Sequence, residues 1–135
     1  MKRKLNKKGF TLLEVIIVVI IVGVLASLAL PRLFASVDFS RSTEALNSMI
    51  PIRKALEECY MLNNQDYQPC DDFAVLTVED PGNSPGASFS YAITSPAADT
   101  YSVVATLNSD AASKITIMQN ATTVSKTGSG VFSQL

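Results

Sequence analysis

The chain has 135 residues, of which 47% are hydrophobic and 17% are charged, and its formal net charge is −1. Once an apolar N-terminal segment is set aside, this length holds only one small globular domain. The chain contains no histidine, so it lacks the commonest general base of enzymes and the commonest metal ligand.

The chain begins with a short basic segment followed by a long apolar one. Between Phe10 and Leu30 the only charged residue is Glu14, and about twenty apolar residues are enough to cross a bilayer as a helix. The positive-inside rule places the basic end in the cytoplasm and everything after Pro31 across the membrane. The basic residues at the start are Lys2, Arg3, Lys4, Lys7 and Lys8.

Glu14 is unusual for a simple membrane anchor. An ionisable group inside the hydrocarbon is costly and usually has a partner, which makes Glu14 a functional candidate. Cleavage after Gly9 would create an amino group on Phe10, one helical turn from Glu14, and the two charges could pair within one chain or between neighbouring chains. The alternative interpretation is an acid near a helix N-terminus that complements the macrodipole.

A secretory signal is cleaved after its apolar region, whereas a cut at Gly9 would keep the apolar helix in the mature protein. The Gly-Phe-Thr-Leu-Leu-Glu motif at positions 9–14, with the apolar run after it, resembles the prepilin signal of type IV pilins and type II secretion pseudopilins. The resemblance implies that a prepilin peptidase cleaves between Gly9 and Phe10 and methylates the new N-terminal Phe10. It also implies that Glu14 helps to dock the subunit into a growing filament.

Three residues along the helix are candidates for flexing it. Pro31 and Pro51 have no amide hydrogen, so we expect the helix to loosen or bend at each of them. Gly23 lowers helix propensity, although Gly and Pro are also simply common in transmembrane helices. The spacing of Gly23, Pro31 and Pro51 is similar to that of Gly and Pro in pilins.

From Arg32 to Leu62 the sequence becomes amphipathic, with apolar residues at three-and-four spacing. We therefore expect one long helix in two parts, with residues 10–31 as the transmembrane and filament-core half and residues 32–62 as the amphipathic half. The apolar stripe of the second half is Leu46, Met49, Ile52, Leu56 and Cys59.

Removal of the predicted leader, residues 1–9, changes the charge of the chain. It takes away five of the eleven Lys and Arg residues and leaves six against twelve Asp and Glu, a formal net charge of −6. An acidic exported part argues against a general nucleic-acid-binding surface.

Residues 63–87 are rich in Pro, Gly, Asp, Asn and Ser, which predicts a surface loop after the helix. Cys59 and Cys70 are the only cysteines, and an oxidising compartment favours a disulfide between them. Two unpaired thiols or a metal site are the alternatives. The acids next to Cys70 are Asp71 and Asp72, and the chain has no histidine, so the metal site is weakly supported and no cofactor or metal is expected.

Residues 88–135 show the alternation of short strands, broken at Ser95-Pro96 and again at Asn108-Ser109-Asp110. A fourth, weaker strand is predicted within 122–132, and residues 128–135 as an edge or tail. We expect an α+β fold of the pilin type, with the long N-terminal helix packed on a small antiparallel sheet of three to four strands. The residues that alternate are Phe89, Tyr91 and Ile93, then Tyr101, Val103, Ala105 and Leu107, then Ile115 and Ile117.

These observations predict a structural subunit of a type IV pilus and not an enzyme, because the chain offers no nucleophile with a base to activate it. The resemblance implies partners: copies of the chain and minor pilins in a helical filament, a prepilin peptidase and methyltransferase, and an inner-membrane assembly platform with a separate ATPase. The subunit would cross the inner membrane once, with its C-terminal domain outside the cytoplasm, before it enters an extracellular pilus or a periplasmic pseudopilus.

Three other interpretations stay open: a pseudopilin of a type II secretion system, a minor pilin, and a membrane-tethered module that binds a ligand through residues 63–87. The pilus is favoured over the pseudopilus because major pseudopilins carry an acidic, Gly-rich calcium-binding loop late in the chain. Residues 125–135 contain the glycines of such a loop without its aspartates.

Overall fold

The computed structural model describes residues 9–135, apart from the side chain of Pro96, so residues 1–8 of the predicted leader lie outside it. Within the described residues the fold contains one α-helix followed by a four-stranded antiparallel sheet, which confirms the predicted α+β architecture. The elements are helix α1 (Leu12–Leu62) and strands β1 (Phe89–Ala97), β2 (Thr100–Leu107), β3 (Asp110–Gln119) and β4 (Val124–Gly128).

Helix α1 is continuous over 51 residues and contains both Pro31 and Pro51. The predicted single helix is therefore confirmed, with its first residue at Leu12 instead of Phe10. The chain divides into two compact units, and the boundary lies within α1 between Val37 and Asp38. Every residue from 9 to 37 is exposed, whereas the second unit contains the hydrophobic core.

The C-terminus of α1 is closed by the asparagines that follow it. The Gln65 amide donates a hydrogen bond to the Tyr60 carbonyl at 2.9 Å, the long-range bond of a Schellman motif. Asn64 and Gln65 both have positive φ, the backbone conformation that ends many helices. The side-chain amide of Asn63 adds a bond to the Cys59 carbonyl at 2.9 Å.

The sheet has the order β1-β2-β3-β4, so each strand pairs with its neighbour in sequence. β1 extends through the predicted Ser95-Pro96 break to Ala97, with a shift of register between Thr94 and Ala97. The break is thus an irregularity inside the strand, because proline has no amide to donate to the ladder. The turn to β2 lies three residues later than predicted, at 98–99.

The core lies between the amphipathic half of α1 and one face of the sheet. The predicted helical stripe and the predicted inward-facing strand residues meet there, which confirms that α1 covers the apolar side of the sheet. Large fully buried side chains in this core include Met49, Ile52, Leu56, Phe89, Tyr101, Val103 and Ile115.

The last residues of the chain depart from the predicted edge or tail. β4 is an edge strand, but a short 3₁₀ turn at Gly130–Phe132 leaves Phe132 only 2% exposed, with its ring centroid 5.9 Å from that of Phe89. The turn is tied to β3, because the buried Ser113 hydroxyl accepts a hydrogen bond from the Val131 amide at 3.0 Å. The C-terminus is therefore part of the core.

Candidate functional site

The motif at positions 9–14 forms the beginning of α1. Gly9 and Phe10 precede the helix and are exposed, and Thr11 is its N-cap residue. The Thr11 hydroxyl accepts a hydrogen bond from the Glu14 amide at 3.3 Å, and the Thr11 carbonyl accepts one from the Val15 amide at 3.3 Å. The predicted cleavage site thus lies two residues before the helix cap.

Glu14 is the third residue of α1 and is exposed. A threonine followed three residues later by a glutamate is the sequence signature of a capping box, a signal that our sequence reasoning overlooked. In this position the carboxylate complements the positive end of the helix macrodipole. The docking role predicted for Glu14 needs a charge at the same place. Filament docking and stabilisation of the helix macrodipole are therefore compatible roles for this carboxylate.

The surface that follows Glu14 is apolar on every side of the helix. Among the described residues, α1 is the single helix long and apolar enough to cross a membrane, and none of its most apolar stretch is buried in the structure. Large side chains from Val15 to Leu30 are about half exposed or more. Nothing within the described chain covers this surface, and a large exposed apolar surface is typical of a site of contact with a membrane or another protein.

Gly23 and the two prolines lie within this continuous helix. A Cβ added at Gly23 would meet no atom within 4 Å, so no packing contact in the described chain requires a glycine there. The helix-flexing role of Gly23, Pro31 and Pro51 stays a prediction, since α1 is helical through all three positions.

A disulfide joins α1 to the loop that follows it. Cys59 and Cys70 are bonded with their Cα atoms 6.1 Å apart, which confirms the predicted pairing. Next to the bond, the Tyr67 ring stacks on Tyr60 at a centroid distance of 4.3 Å and meets the Tyr101 ring edge-on at 4.9 Å. The base of the loop is therefore held by a covalent bond and an aromatic cluster.

The tyrosines of this cluster are buried polar groups with partners. Burial raises the pKa of Tyr67 well above its usual range, and a side-chain hydrogen bond to Glu57 raises it further. Burial also raises the pKa of Tyr101, against the opposing effect of the Arg53 guanidinium, which donates to its hydroxyl at 3.2 Å. Both phenols are protonated at neutral pH and act as structural hydrogen-bonding groups.

The acids of the loop are used to shape its backbone. Asp66, Asp72 and Asp80 each accept a hydrogen bond from the amide two residues later, at 2.8, 3.0 and 2.8 Å. In the part of the chain that the structure describes, no group of three or more His, Cys, Asp or Glu side chains is placed to hold a metal ion. These carboxylates form Asx turns, and their hydrogen bonds help to fix the backbone of the loop.

An open groove of about 720 Å³ lies against the same loop, lined by residues between Phe73 and Pro85. If the chain were the membrane-tethered binding module of the alternative interpretation, this groove is where it would bind a ligand. Its walls combine apolar side chains such as Leu76 and Val78 with Glu79 and Asp80, and the Asp80 carboxylate is already bonded to a backbone amide.

Comparison with known proteins identifies the same N-terminal motif and several similar sequences. Residues 4–30 match the family described as the prokaryotic N-terminal methylation motif. The chain is 34% identical over 83 residues to the type II secretion system core protein G of Escherichia coli strain K12, covering 62% of this chain and 57% of that protein. The protein of the same name from Vibrio cholerae serotype O1 is 35% identical over 83 residues, covering 62% of this chain and 56% of that protein.

These matches support the resemblance to type IV pilins and pseudopilins. A third relative, the type II secretion system core protein G of Klebsiella michiganensis, is 30% identical over 87 residues, which is 64% of this chain and 61% of that protein. The chain therefore spans less than two thirds of the length of these relatives. No solved structure gives a significant match to it.

The comparisons also bear on the choice between pilus and pseudopilus. The three relatives are named as secretion-system proteins, whereas the sequence favoured a type IV pilus. The preference for a pilus is not confirmed, and the comparisons favour the pseudopilin alternative. The missing aspartates in residues 125–135 led to that preference, but the glycines there have another use, since Gly128 and Gly130 bring Phe132 into the core.

Proposed function

We propose that this chain is a pseudopilin-type structural subunit of a secretion-system filament, and that it has no enzymatic activity of its own. A prepilin peptidase cleaves it between Gly9 and Phe10 and methylates Phe10. The processed subunit then polymerises through the apolar half of α1. Before assembly it crosses the cytoplasmic membrane once, with residues 38–135 outside the cytoplasm.

The observation that carries this proposal is the uncovered apolar surface of α1 that begins directly after the cleavage motif. A helix that is apolar on every side is stable only inside a membrane or inside an assembly of similar helices. A pseudopilin needs both environments in turn, first as a membrane protein and then as a filament subunit. The similarity to proteins named as secretion-system components supports the pseudopilus over the surface pilus.

The partners follow from the same proposal. Copies of this chain and minor subunits share the filament, and an assembly platform with a separate ATPase supplies the energy of extrusion. The chain itself supplies the cleavage site, the docking carboxylate of Glu14 and the helix surface.

Mass spectrometry on the native host tests this function. Intact-mass and N-terminal analysis of the membrane fraction is expected to show a species that begins at methylated Phe10 and is lighter by the two hydrogens of the disulfide. The variant Gly9→Val is expected to stay at the mass of the precursor. A wild-type product that retains residues 1–9 would contradict the proposal.

Location and phenotype separate the two filaments. For a pseudopilus, the processed subunit stays with the cell envelope after shearing, and deletion of its gene stops export of the secreted proteins. An abundant sheared species together with normal secretion in the deletion strain would indicate a type IV pilus instead.

A further inference from the structure

The apolar surface of α1 continues beyond the length that a bilayer core needs. Leu12 to Leu30 span about 27 Å at about 1.5 Å per residue, close to the hydrocarbon thickness of about 30 Å. Yet Leu33, Phe34 and Val37 are also apolar, and they are 57%, 63% and 39% exposed. These three side chains lie beyond the span of the hydrocarbon core, at the depth of the lipid headgroups if α1 crosses the bilayer.

Arg32 is the first charged residue after Glu14 and lies about 3 Å beyond Leu30 along the helix. It belongs to a stripe with Leu25, Leu28 and Ala29, which are seven, four and three positions before it and so share one face of α1. The four side chains line an open hollow of about 500 Å³. Ala29 is the smallest of the four side chains, and Arg32 stands at the end of the hollow towards the C-terminus of the helix.

We propose that this hollow and Arg32 form a binding site for a phospholipid of the leaflet on the side of the globular domain. An acyl chain lies along Leu25, Leu28 and Ala29, and the Arg32 guanidinium binds the lipid phosphate, for which its planar fork of donors is suited. Phe34, about 6 Å beyond Leu30, then lies in the headgroup layer, since a bilayer with headgroups is about 40–45 Å thick. The site rests on the proposed membrane anchoring of the subunit.

Charge favours a lipid over a second copy of the chain as the occupant. Residues 28–36 contain no acid that could pair with Arg32 on the same helix. The apolar helix of another copy, between residues 9 and 37, would offer Glu14 as its sole carboxylate. Lipid phosphates are present at this depth around the whole helix, and the aliphatic stem of arginine can lie along the acyl chains while its charge reaches them.

The consequence is a fixed depth of the subunit before assembly. Apolar residues on both sides of Arg32 would otherwise allow α1 to slide along the membrane normal. A charge held at the phosphate level keeps Glu14 and the globular unit of each subunit at a reproducible height for docking.

Tryptophan fluorescence tests this site cleanly because the chain contains no tryptophan. Phe34→Trp and Val22→Trp variants of the full chain are reconstituted at high dilution in vesicles of phosphatidylcholine and phosphatidylglycerol. Lipids brominated at shallow or deep acyl positions then report depth by quenching. We expect Trp at 34 to be quenched best by the shallow label, and Trp at 22 by the deep label.

Variants of Arg32 in the Phe34→Trp background test its role. Arg32→Gln is expected to move the tryptophan deeper, so that the ratio of deep to shallow quenching at least doubles. Arg32→Lys should keep the wild-type ratio, and Lys114→Gln, a change at an exposed position in β3, serves as the control for an unrelated lost charge.

Three results would overturn the proposal. The first is a Trp at 34 that no lipid label quenches while Trp at 22 is quenched from the deep position, because the membrane anchor would then stand without the lipid site. The second is an Arg32→Gln ratio equal to that of the wild type. The third is shallow quenching that disappears as protein is concentrated at constant lipid, which would identify a second copy as the occupant. Failure to quench Trp at 22 would instead overturn the membrane anchoring itself.

Discussion

At the scale of single residues, Glu14 carries the most specific prediction. We expect Glu14→Leu to be cleaved, methylated and inserted into the membrane, yet to be absent from filaments, because the docking charge is gone. The helix cap survives the change, since Thr11 accepts its hydrogen bond from the backbone amide of residue 14. Co-sedimentation of the variant with wild-type filaments measures incorporation.

Two matched variants separate charge from helix capping. Glu14→Gln keeps the size and polarity of the side chain and is expected to fail as Glu14→Leu does. Thr11→Ala removes the cap, costs the helix about 1 kcal/mol, and is expected to enter filaments. Normal incorporation of Glu14→Leu would show that this carboxylate serves only the helix macrodipole.

Gly130 carries a second prediction at the residue scale. It has a φ of +61°, and an added Cβ would lie 2.7 Å from the Cα of Ser113, a backbone atom that cannot give way. A left-handed alanine costs about 1–2 kcal/mol, and the clash adds to that, so Gly130→Ala is expected to lower the free energy of unfolding by roughly 3 kcal/mol or more.

The control for Gly130 lies in the loop before the sheet. Gly86 has a φ of +82° with nothing within 4 Å of an added Cβ, so Gly86→Ala reports the conformational cost alone. Urea unfolding of the full chain in detergent, followed by circular dichroism, compares the two variants. Equal losses would mean that the C-terminal segment is not fixed against β3.

At the scale of elements, the disulfide ties the end of α1 to the loop. Cys59 and Cys70 are 11 positions apart, and closing a loop of this size stabilises the folded state by about 3 kcal/mol in the chain-entropy model. The double variant Cys59→Ser and Cys70→Ser is expected to lose that amount. Reduction of the wild type with dithiothreitol should give the same loss and leave the double variant unchanged. Dithiothreitol that destabilises both proteins equally would exclude the disulfide as the cause.

The elements also show how far a sequence can be followed into a fold. Alternation of apolar residues predicted the inward faces of β1, β2 and β3, because a strand half covered by a helix has a period of two. Three-and-four spacing predicted the buried stripe from Met49 to Cys59, because a helix covered on one face has a period of about 3.6 residues. These features are local and repeated, so the sequence alone reveals them.

The sequence did not predict features that depend on a single contact between residues far apart in the chain. Phe132 stands beside Val131 in a short segment of glycines and serines, and it is buried because Gly130 and Ser113 turn the chain towards Phe89. Similarly, nothing in the sequence near Tyr67 indicates that its ring lies between Tyr60 and Tyr101. The motif at 9–14 could be recognised without the structure because all of its residues are adjacent in the sequence.

At the scale of the whole molecule, the division between Val37 and Asp38 predicts that the two units have separate roles. The described hydrophobic core, from Ala45 to Phe132, lies entirely in the second unit, as does the disulfide. The first unit contributes an apolar surface and none of the residues that form that core. We therefore expect a fragment of residues 38–135 to fold alone, remain monomeric, and unfold in one cooperative transition.

This fragment also tests where the capacity to assemble resides. Exported to the same compartment as the full chain, it is expected to stay out of filaments, because it has neither Glu14 nor the apolar helix surface. Analytical ultracentrifugation and thermal circular dichroism measure its mass and folding, and the oxidised fragment should show no free thiol. A fragment that polymerises alone would place the assembly contacts on the globular unit. A fragment that cannot fold would mean that residues 9–37 stabilise the core through the continuity of α1, and the two units would then be one cooperative structure.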